Sequence, residues 1–392
     1  MTKINSLNLF FSVLSQSSYG EIEIIYNKKS LYHFAAKNHG PKTTVIIKDF
    51  KCVENFFLKG DLGWAESYIH GLWETTNLSD FLEWGAKNFH SFSSFIRGKW
   101  YIILYLRFKH YLNTNSKKGS KKNIRFHYDL GNDFYKSWLD ESMTYSSAIF
   151  ENSDQKLFDA QINKFKNLSN LCDIKENDEV LEIGCGWGSF SVFLAKEIKA
   201  NVTAITISQK QFQAVNKRVS EEGLNNKVNV KLLDYRDLKG KFDKIVSIEM
   251  FEAVGEKYWL LYFETLKKNL KRYGKIGIQT ITIKDDYFKT YKKFPDFIQT
   301  YIFPGGMLPS VSALRKTLER SGLKLIDENL FGEHYAMTIS HWRNSFEYSW
   351  DEIKKNGFDL NFKRLWQYYL SYCEGGFRSG NINVGQFLIR KD

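Results

Sequence analysis

The pattern of apolar and polar positions changes character about a third of the way along the chain. Glu21–Tyr26 and Thr43–Ile47 are short and rich in β-branched residues, which predicts strands, and Asn38-His39-Gly40-Pro41 between them predicts a turn. Leu58 to Glu83 reads as mainly helical, with Trp64, Tyr68, Leu72 and Trp73 among its apolar positions. Ser91 to Leu112 follows as a further helical stretch, where Phe92, Phe95, Trp100, Tyr105 and Phe108 interleave with Arg97, Lys99, Arg107 and Lys109. The polar, basic, glycine-broken segment NTNSKKGSKKNIR (113–125) then reads as a linker. Beyond it the signals alternate. Strands are expected at 180–183, 201–207, 228–233, 242–248 and 275–283, with helices over 189–197, 209–222 and 256–271. Such alternation predicts an α/β domain whose parallel sheet carries helices on both faces, and ligands in such folds bind beyond the carboxyl ends of the strands. The expected organisation is a smaller α+β domain at 1–112, the linker, and the α/β domain at 126–392.

Composition narrows the class. Of 392 residues 43% are apolar and only 4 are proline, which excludes a disordered or proline-rich chain. Aromatic residues reach 16%. They either fill cores or face a large apolar ligand or a membrane surface. The net charge of +12 is concentrated at the front, where residues 1–125 hold 18 Lys and Arg against 9 Asp and Glu. A local positive field of this kind attracts anionic polymers or anionic lipid surfaces. The basic and aromatic stretch 91–112 suits a lipid headgroup interface, and equally an ordinary helix packed on its neighbour. No groove-reading or RNA-binding motif accompanies the basic residues, so no nucleic-acid partner is expected. Cys52, Cys172, Cys185 and Cys373 form no CxxC pair, which argues against a disulfide framework or a zinc site and fits a reducing compartment. The start carries no secretory pattern, and the greasiest run, Trp100 to Leu106, is far below the ~20 residues a membrane span needs. A cytoplasmic protein associated peripherally with the inner face of the membrane is expected.

The candidate chemistry begins at VLEIGCGWGSF, where Gly184, Gly186 and Gly188 follow a predicted strand and precede a predicted helix. Glycines there allow a tight turn and a close approach of backbone to ligand. With Glu182 just before the turn, the segment looks like the S-adenosylmethionine site of seven-strand methyltransferases. The end of the second strand reads Thr206-Ile207-Ser208-Gln209, with no carboxylate, so neutral hydroxyl and amide groups are expected to hold the ribose. A sulfonium favours aromatic faces, for which Tyr145, Trp187 and Tyr235 are candidates.

HYDLGNDFY (127–135), MTYSSAIFE (143–151), LEIGCGWG (181–188), TISQKQ (206–211), DYRDL (234–238), MFEAVG (250–255), YIFPGGMLPS (301–310) and YYLSYCEGGFRSG (368–380) occur in that order. Together they resemble the cyclopropane-fatty-acyl-phospholipid synthase family, including the related mycolic-acid cyclopropane synthases. The match is strong over roughly residues 120–392 and looser before it. The resemblance implies a Rossmann-like seven-strand methyltransferase domain behind a smaller lipid-binding domain. It also implies transfer of the methyl carbon of S-adenosylmethionine to the cis double bond of unsaturated phospholipid acyl chains, closing a cyclopropane. An alkene is a poor nucleophile, so such a site must hold the reactants together and exclude water.

By the same resemblance, a bound bicarbonate accepts the proton inside a cage. Glu252 in MFEAVG and Tyr335 in FGEHYAMT match two of its members. The place of the cage cysteine is Ser147, and that of the histidine is Gln279. Ser and Gln still donate hydrogen bonds to an anion, but neither carries a histidine's charge. A changed base can change the product, so a methyl-branched or methylene acyl chain is the alternative. Carried over for the cofactor are Tyr145, Ser146, Gly184, Cys185, Gly186, Thr206, Ile207, Ser208, Gln209, Gln211, Tyr235 and Arg236, beside Glu182 and Gly188 from the turn itself. Cys373 matches a cysteine assigned to the family's active site, although a buried small hydrophobe explains it as well. His127 and Asp129 serve the site or brace a turn. Unsaturated phospholipids are the expected partners, and a homodimer is compatible with this reading.

Overall fold

The computed structural model describes residues 3–92, 98–113, 115–117, 119–121, 123 and 130–391. The chain divides into two compact units. The first is residues 1–112 with 289–304 and 339–382, and the second is 113–288 with 305–338 and 383–392.

In the first unit, β1 (Tyr19–Tyr26), β2 (Lys29–Ala35), β3 (Asn38–Ile47) and β4 (Trp73–Thr75) form a sheet in the order β2-β1-β3-β4. β1 runs antiparallel to β2 and parallel to β3. The turn expected at 38–41 therefore lies inside a strand. Its glycine and proline serve a close crossing instead. A Cβ on Gly20 would sit 2.4 Å from the Pro41 carbonyl oxygen, and the ladder slips its register between Tyr19 and Glu21 to accommodate it. β2 is an edge strand, mostly exposed, so it lacks the apolar alternation that would have announced it. The stretch read as helical from Leu58 breaks into Asp61–Ile69 and Leu78–Lys87, with Trp73 on β4 between them. Trp73 is fully buried, and its indole N–H donates to the Trp64 carbonyl at 2.9 Å.

The expectation that 126–392 forms one domain needs correction, because Leu360–Arg378 packs on Leu78–Lys87 within the first unit. Ser79 donates to the Glu374 carboxylate at 2.7 Å, and Arg378 pairs with Asp80 at 2.9 Å and Glu83 at 2.8 Å. The two helices touch backbone to side: a Cβ on Gly375 would lie 2.6 Å from the Glu83 nitrogen.

The second unit is built on a seven-stranded sheet. Its strands are β5 (Glu179–Ile183), β6 (Asn201–Thr206), β7 (Val228–Leu232), β8 (Phe242–Ile248), β9 (Leu270–Ile283), β10 (Leu323–Leu330) and β11 (Ile382–Lys391). Their order is β10-β11-β9-β8-β5-β6-β7. β5 to β9 pair in parallel, and β10 runs antiparallel to β11. The first four fall where the alternation predicts them, while β9 starts at Leu270 rather than at 275. Phe165, Leu168 and Cys172 of the helix Leu157–Cys172 pack with Val180 and Val246 in the core. The segment expected as a linker is part of this unit in its described residues. Asn115 is buried and donates to the Gly305 carbonyl at 2.7 Å, and Lys117 pairs with Asp237.

Replacing Gly375 by Ala is expected to lower unfolding stability by about 1–3 kcal/mol, the usual cost of overpacking a close contact. Urea denaturation of the whole chain reads this, and an unchanged midpoint would show that the two helices do not meet so closely.

Candidate active site

The parallel strands end on one side, and the predicted residues gather there. After β5 the chain turns through Gly184, Gly186 and Gly188, all in the left-handed region at φ of 79°, 53° and 84°. Gly184 donates its N–H to Ile205 of β6 at 2.9 Å. A Cβ on it would lie 2.6 Å from Met250 Cγ, and one on Gly188 would lie 2.8 Å from Val215. A Cβ on Gly186 would meet nothing within 4 Å, so the turn is packed below and open above. That open face fits the nucleoside of S-adenosylmethionine.

Glu182 is buried on β5 and accepts from Ser191 in the following helix; burial pushes its carboxyl up to about 7. It braces the turn from beneath. The Cys185 thiol is buried and raised well above its ordinary range, which leaves it inert. At the end of β6, Thr206 donates to Gln211 Oε1 at 2.9 Å and accepts from the Ser208 N–H at 3.1 Å, while Ser208 caps the helix Gln209–Glu221 through the Gln211 N–H. These groups hold the loop 206–211 in one shape. Ile207 is half-buried and Gln209 exposed along its outer edge.

Tyr145 packs into an aromatic wall, tilted against Tyr135 and edge-on to Trp138, and Trp187 joins it through Tyr135 at 5.1 Å. Tyr235 is buried edge-on against Tyr262, and burial raises its phenol to about 12. Arg236 is occupied: it binds the Asp234 carboxylate at 2.8 Å and 2.7 Å and the Asn115 carbonyl at 3.0 Å. It clamps the turn 234–237 to the segment 115–120 rather than presenting a free charge.

Ser147, Gln279 and Tyr335 come together, but they surround a carboxylate the sequence reading passed over. Glu249, at the end of β8, accepts from the Ser147 N–H at 2.9 Å and Gln279 Nε2 at 2.8 Å on Oε1, and from the Tyr335 hydroxyl at 2.5 Å on Oε2. Gln279 is fixed in turn by Gln386, which donates to its Oε1 at 3.0 Å. The loop carrying Ser147 is held from behind, where Lys164 Nζ donates to Ser146 Oγ at 2.7 Å and Gln161 donates to the Ser146 carbonyl at 3.0 Å. Lys164 has no solvent exposure.

Glu249 has φ of 49°, a conformation that costs a residue with a Cβ roughly 1–3 kcal/mol. Its own N–H is engaged by the Gln279 carbonyl at 2.7 Å, which helps hold it there.

Two acids three residues apart thus have different surroundings. Burial raises the Glu249 carboxyl, while the bonds from Tyr335, Gln279 and Ser147 and the Lys164 charge pull it back toward ionisation. Glu252 takes one backbone bond, from the Ile281 N–H at 2.6 Å. Its other oxygen has no hydrogen-bond partner among the described residues. Burial, then the neighbouring Glu249 charge, pushes Glu252 up to about 8, so it holds a proton at neutral pH. Glu249 is the anion of the pair and Glu252 the acid, a division that environment alone imposes. Burial likewise pulls the Lys164 ammonium down, against the charges of Glu249, Asp140 and Glu182.

Cys373 lies in the first unit, on the helix Leu360–Arg378. Burial, then Asp296, holds its thiol protonated, which removes the nucleophile that a covalent role requires. His127 and Asp129 fall outside the described residues. Glu249 and Glu252 both follow the end of β8, three residues apart, and nothing in the local pattern singles out Glu249. Lys164 shows itself by standing on the apolar stripe of its helix, beside Phe165 and one turn from Leu168.

The family model of mycolic acid cyclopropane synthetase matches residues 115–387. The chain is 34% identical over 362 residues to the cyclopropane-fatty-acyl-phospholipid synthase of Escherichia coli K12, covering 91% of this chain and 90% of that protein. It is also 34% identical over 349 residues to the tuberculostearic acid methyltransferase UfaA1 of Mycobacterium tuberculosis, covering 85% and 79% respectively. Among solved structures, the mycolic acid cyclopropane synthase CmaA1 complexed with SAH and CTAB matches with a TM-score of 0.66 and 29% identity, over 69% of this chain and 98% of that one.

The proton on Glu252 makes a pH prediction. The folded chain keeps it to about pH 8, whereas an unfolded glutamate releases it near the ordinary 4.5. This group's contribution to stability is therefore full below 4.5 and is lost as pH rises toward 8. Glu252→Gln removes that titration, so thermal unfolding between pH 6 and roughly pH 9 should show the variant gaining on the parent as pH rises. A constant difference across that range would mean Glu252 is already ionised.

Proposed function

The chain belongs to the mycolic acid cyclopropane synthetase family and is an S-adenosylmethionine-dependent methyltransferase, and from that premise we propose that it methylates the cis double bond of unsaturated phospholipid acyl chains. The observation that carries this reading is the half-buried, hydrogen-bonded Glu249 carboxylate at the strand ends, next in the chain to Met250, against which Gly184 of the glycine turn packs. When bound, S-adenosylmethionine supplies an electrophilic methyl group on a sulfonium. The aromatic wall of Tyr135, Trp138, Tyr145 and Trp187 offers π faces that stabilise positive charge. Ser147, Gln279 and Tyr335 around Glu249 are buried, and a lining of this kind keeps water from capturing a carbocation.

The product we favour is a cyclopropane. The nest differs from the expected cage at Ser147 and Gln279, and this supports an alternative. There the same cation undergoes a hydride shift and loses its proton to leave a methylene, which a separate hydride donor would have to reduce for a methyl branch.

The acyl chains would be met at a membrane surface. On the helix Trp100–Leu112, Trp100, Tyr101, Leu104, Tyr105 and Phe108 line one face and are exposed, Trp100 by 72% and Phe108 by 62%. Between Glu83 and Asp129 the sequence holds ten Lys or Arg and no Asp or Glu. Exposed rings within an acid-free basic stretch suit an anionic bilayer, where each basic residue near the surface contributes about 1 kcal/mol. Among the described residues no helix is long and apolar enough to cross a membrane.

Incubation with S-adenosylmethionine and unsaturated phospholipid vesicles should add one CH2 to the acyl chains by mass spectrometry. Proton NMR then separates the products, because cyclopropane protons resonate upfield of ordinary methylenes. No mass change with any unsaturated lipid would end this reading. Trp100→Ser with Tyr105→Ser should weaken sedimentation with anionic vesicles by about 100-fold or more, given about 1.5–3 kcal/mol per buried ring. Equal binding by parent and variant would place the membrane contact elsewhere.

A further inference from the structure

Glu249 occupies a backbone conformation that glycine adopts freely and glutamate does not. The strain secures a carboxylate whose two oxygens take the Ser147 N–H, the Gln279 amide and the Tyr335 hydroxyl. Those three residues are the ones expected to enclose a free bicarbonate. With their donors committed to Glu249, a second anion there would find no partner and would face like charge at close range. Lys164, buried behind the same loop, pulls the Glu249 carboxyl toward ionisation, while burial pulls its own ammonium down. Glu252 is held neutral and so does not compete for the role.

We infer that Glu249 is the proton acceptor of the methyl transfer, built into the chain in place of a free bicarbonate ion, so that turnover needs no added anion. This rests on the reaction proposed above. In that reaction the alkene π pair forms a bond to the methyl carbon. The carbon–sulfur bond breaks with its electrons staying on sulfur, and the second alkene carbon is left cationic. A Glu249 oxygen takes a proton from the transferred carbon, and the freed C–H pair closes the ring onto the cation. If a hydride has first moved from the methylated carbon to its neighbour, the same deprotonation leaves an exocyclic double bond. In both cases Glu249 ends protonated and the acyl chain has gained CH2; the proton passes to water once the product leaves.

The test compares the parent, Glu249→Gln and Glu249→Gly in carbon-dioxide-depleted buffer, with and without added bicarbonate. The parent should turn over equally in both. Glu249→Gln should lose about 100- to 10,000-fold in kcat, the range expected for a positioned base, and bicarbonate should not restore it because the amide still fills the nest. Glu249→Gly should lose as much and regain about tenfold or more when bicarbonate is added. A parent rate that falls on depletion, or a Glu249→Gln variant that keeps the parent rate, would overturn the inference.

Binding of carbon-13 bicarbonate, followed by NMR, decides the question without turnover. Only Glu249→Gly should bind it, and binding by the parent would contradict the assignment. A parent that binds none yet methylates no unsaturated lipid would fail the reaction proposed above while leaving the occupied nest intact. Glu249→Gly relieves the backbone strain but leaves the Ser147 N–H, the Gln279 amide and the Tyr335 hydroxyl without their acceptor, so its thermal midpoint should rise when bicarbonate is added while the parent's stays put; a cooperative transition above the assay temperature separates lost chemistry from lost folding.

Discussion

A carboxylate drawn away from water must be held by donors or it takes up a proton, and the second unit meets that condition for the half-buried Glu249 with three donors. β8 places the residue at a strand end, β9 supplies Gln279, the loop before the helix Leu157–Cys172 supplies the Ser147 N–H, and the helix beginning at Gly332 supplies Tyr335. Two of the three donors are themselves fixed: Gln279 by Gln386, and the loop carrying Ser147 by Lys164, Gln161 and Thr338. Because the donors come from separate segments of the chain, the carboxylate forms its nest only when the sheet and its flanking helices are complete. A site of this kind is preorganised, so little rearrangement is left for the moment of reaction.

The parts of the fold that were legible in the sequence are those whose signal is local. The glycine turn after β5 could be read because a short apolar strand, three glycines and a helix follow one another within a dozen residues. Strands β5 to β8 announced themselves by apolar runs bounded by polar breaks. The divided first unit could not be read. Its joining contacts, such as Ser79 with Glu374, link residues 295 apart, and such pairs leave no mark on local periodicity. Gly40-Pro41 misled for a related reason: the glycine serves a crossing of two backbones, which looks in sequence like a turn.

The site was legible in a similar, partial way. Ser147 and Gln279 stood out as two replacements in an expected cage, and taken singly each looked like a weakening. Their partner Glu249 carries no periodic or motif signal, since an acid at the end of a strand is common. Only the geometry shows that the amide of Gln279, which both donates and accepts, bridges Glu249 and Gln386 in a way a charged ring would not have to. Arg236 shows what local reading misses about a side chain's partners. A basic residue beside a cofactor motif invites a binding role, yet its guanidinium is committed to Asp234 and Asn115.

The most direct measurement is a crystal structure of the chain with S-adenosylhomocysteine, grown in the presence of bicarbonate. The account predicts both Glu249 oxygens in the nest of Ser147, Gln279 and Tyr335, with no separate anion among them. A planar three-oxygen anion bound to those residues, with the Glu249 side chain turned away, would contradict it.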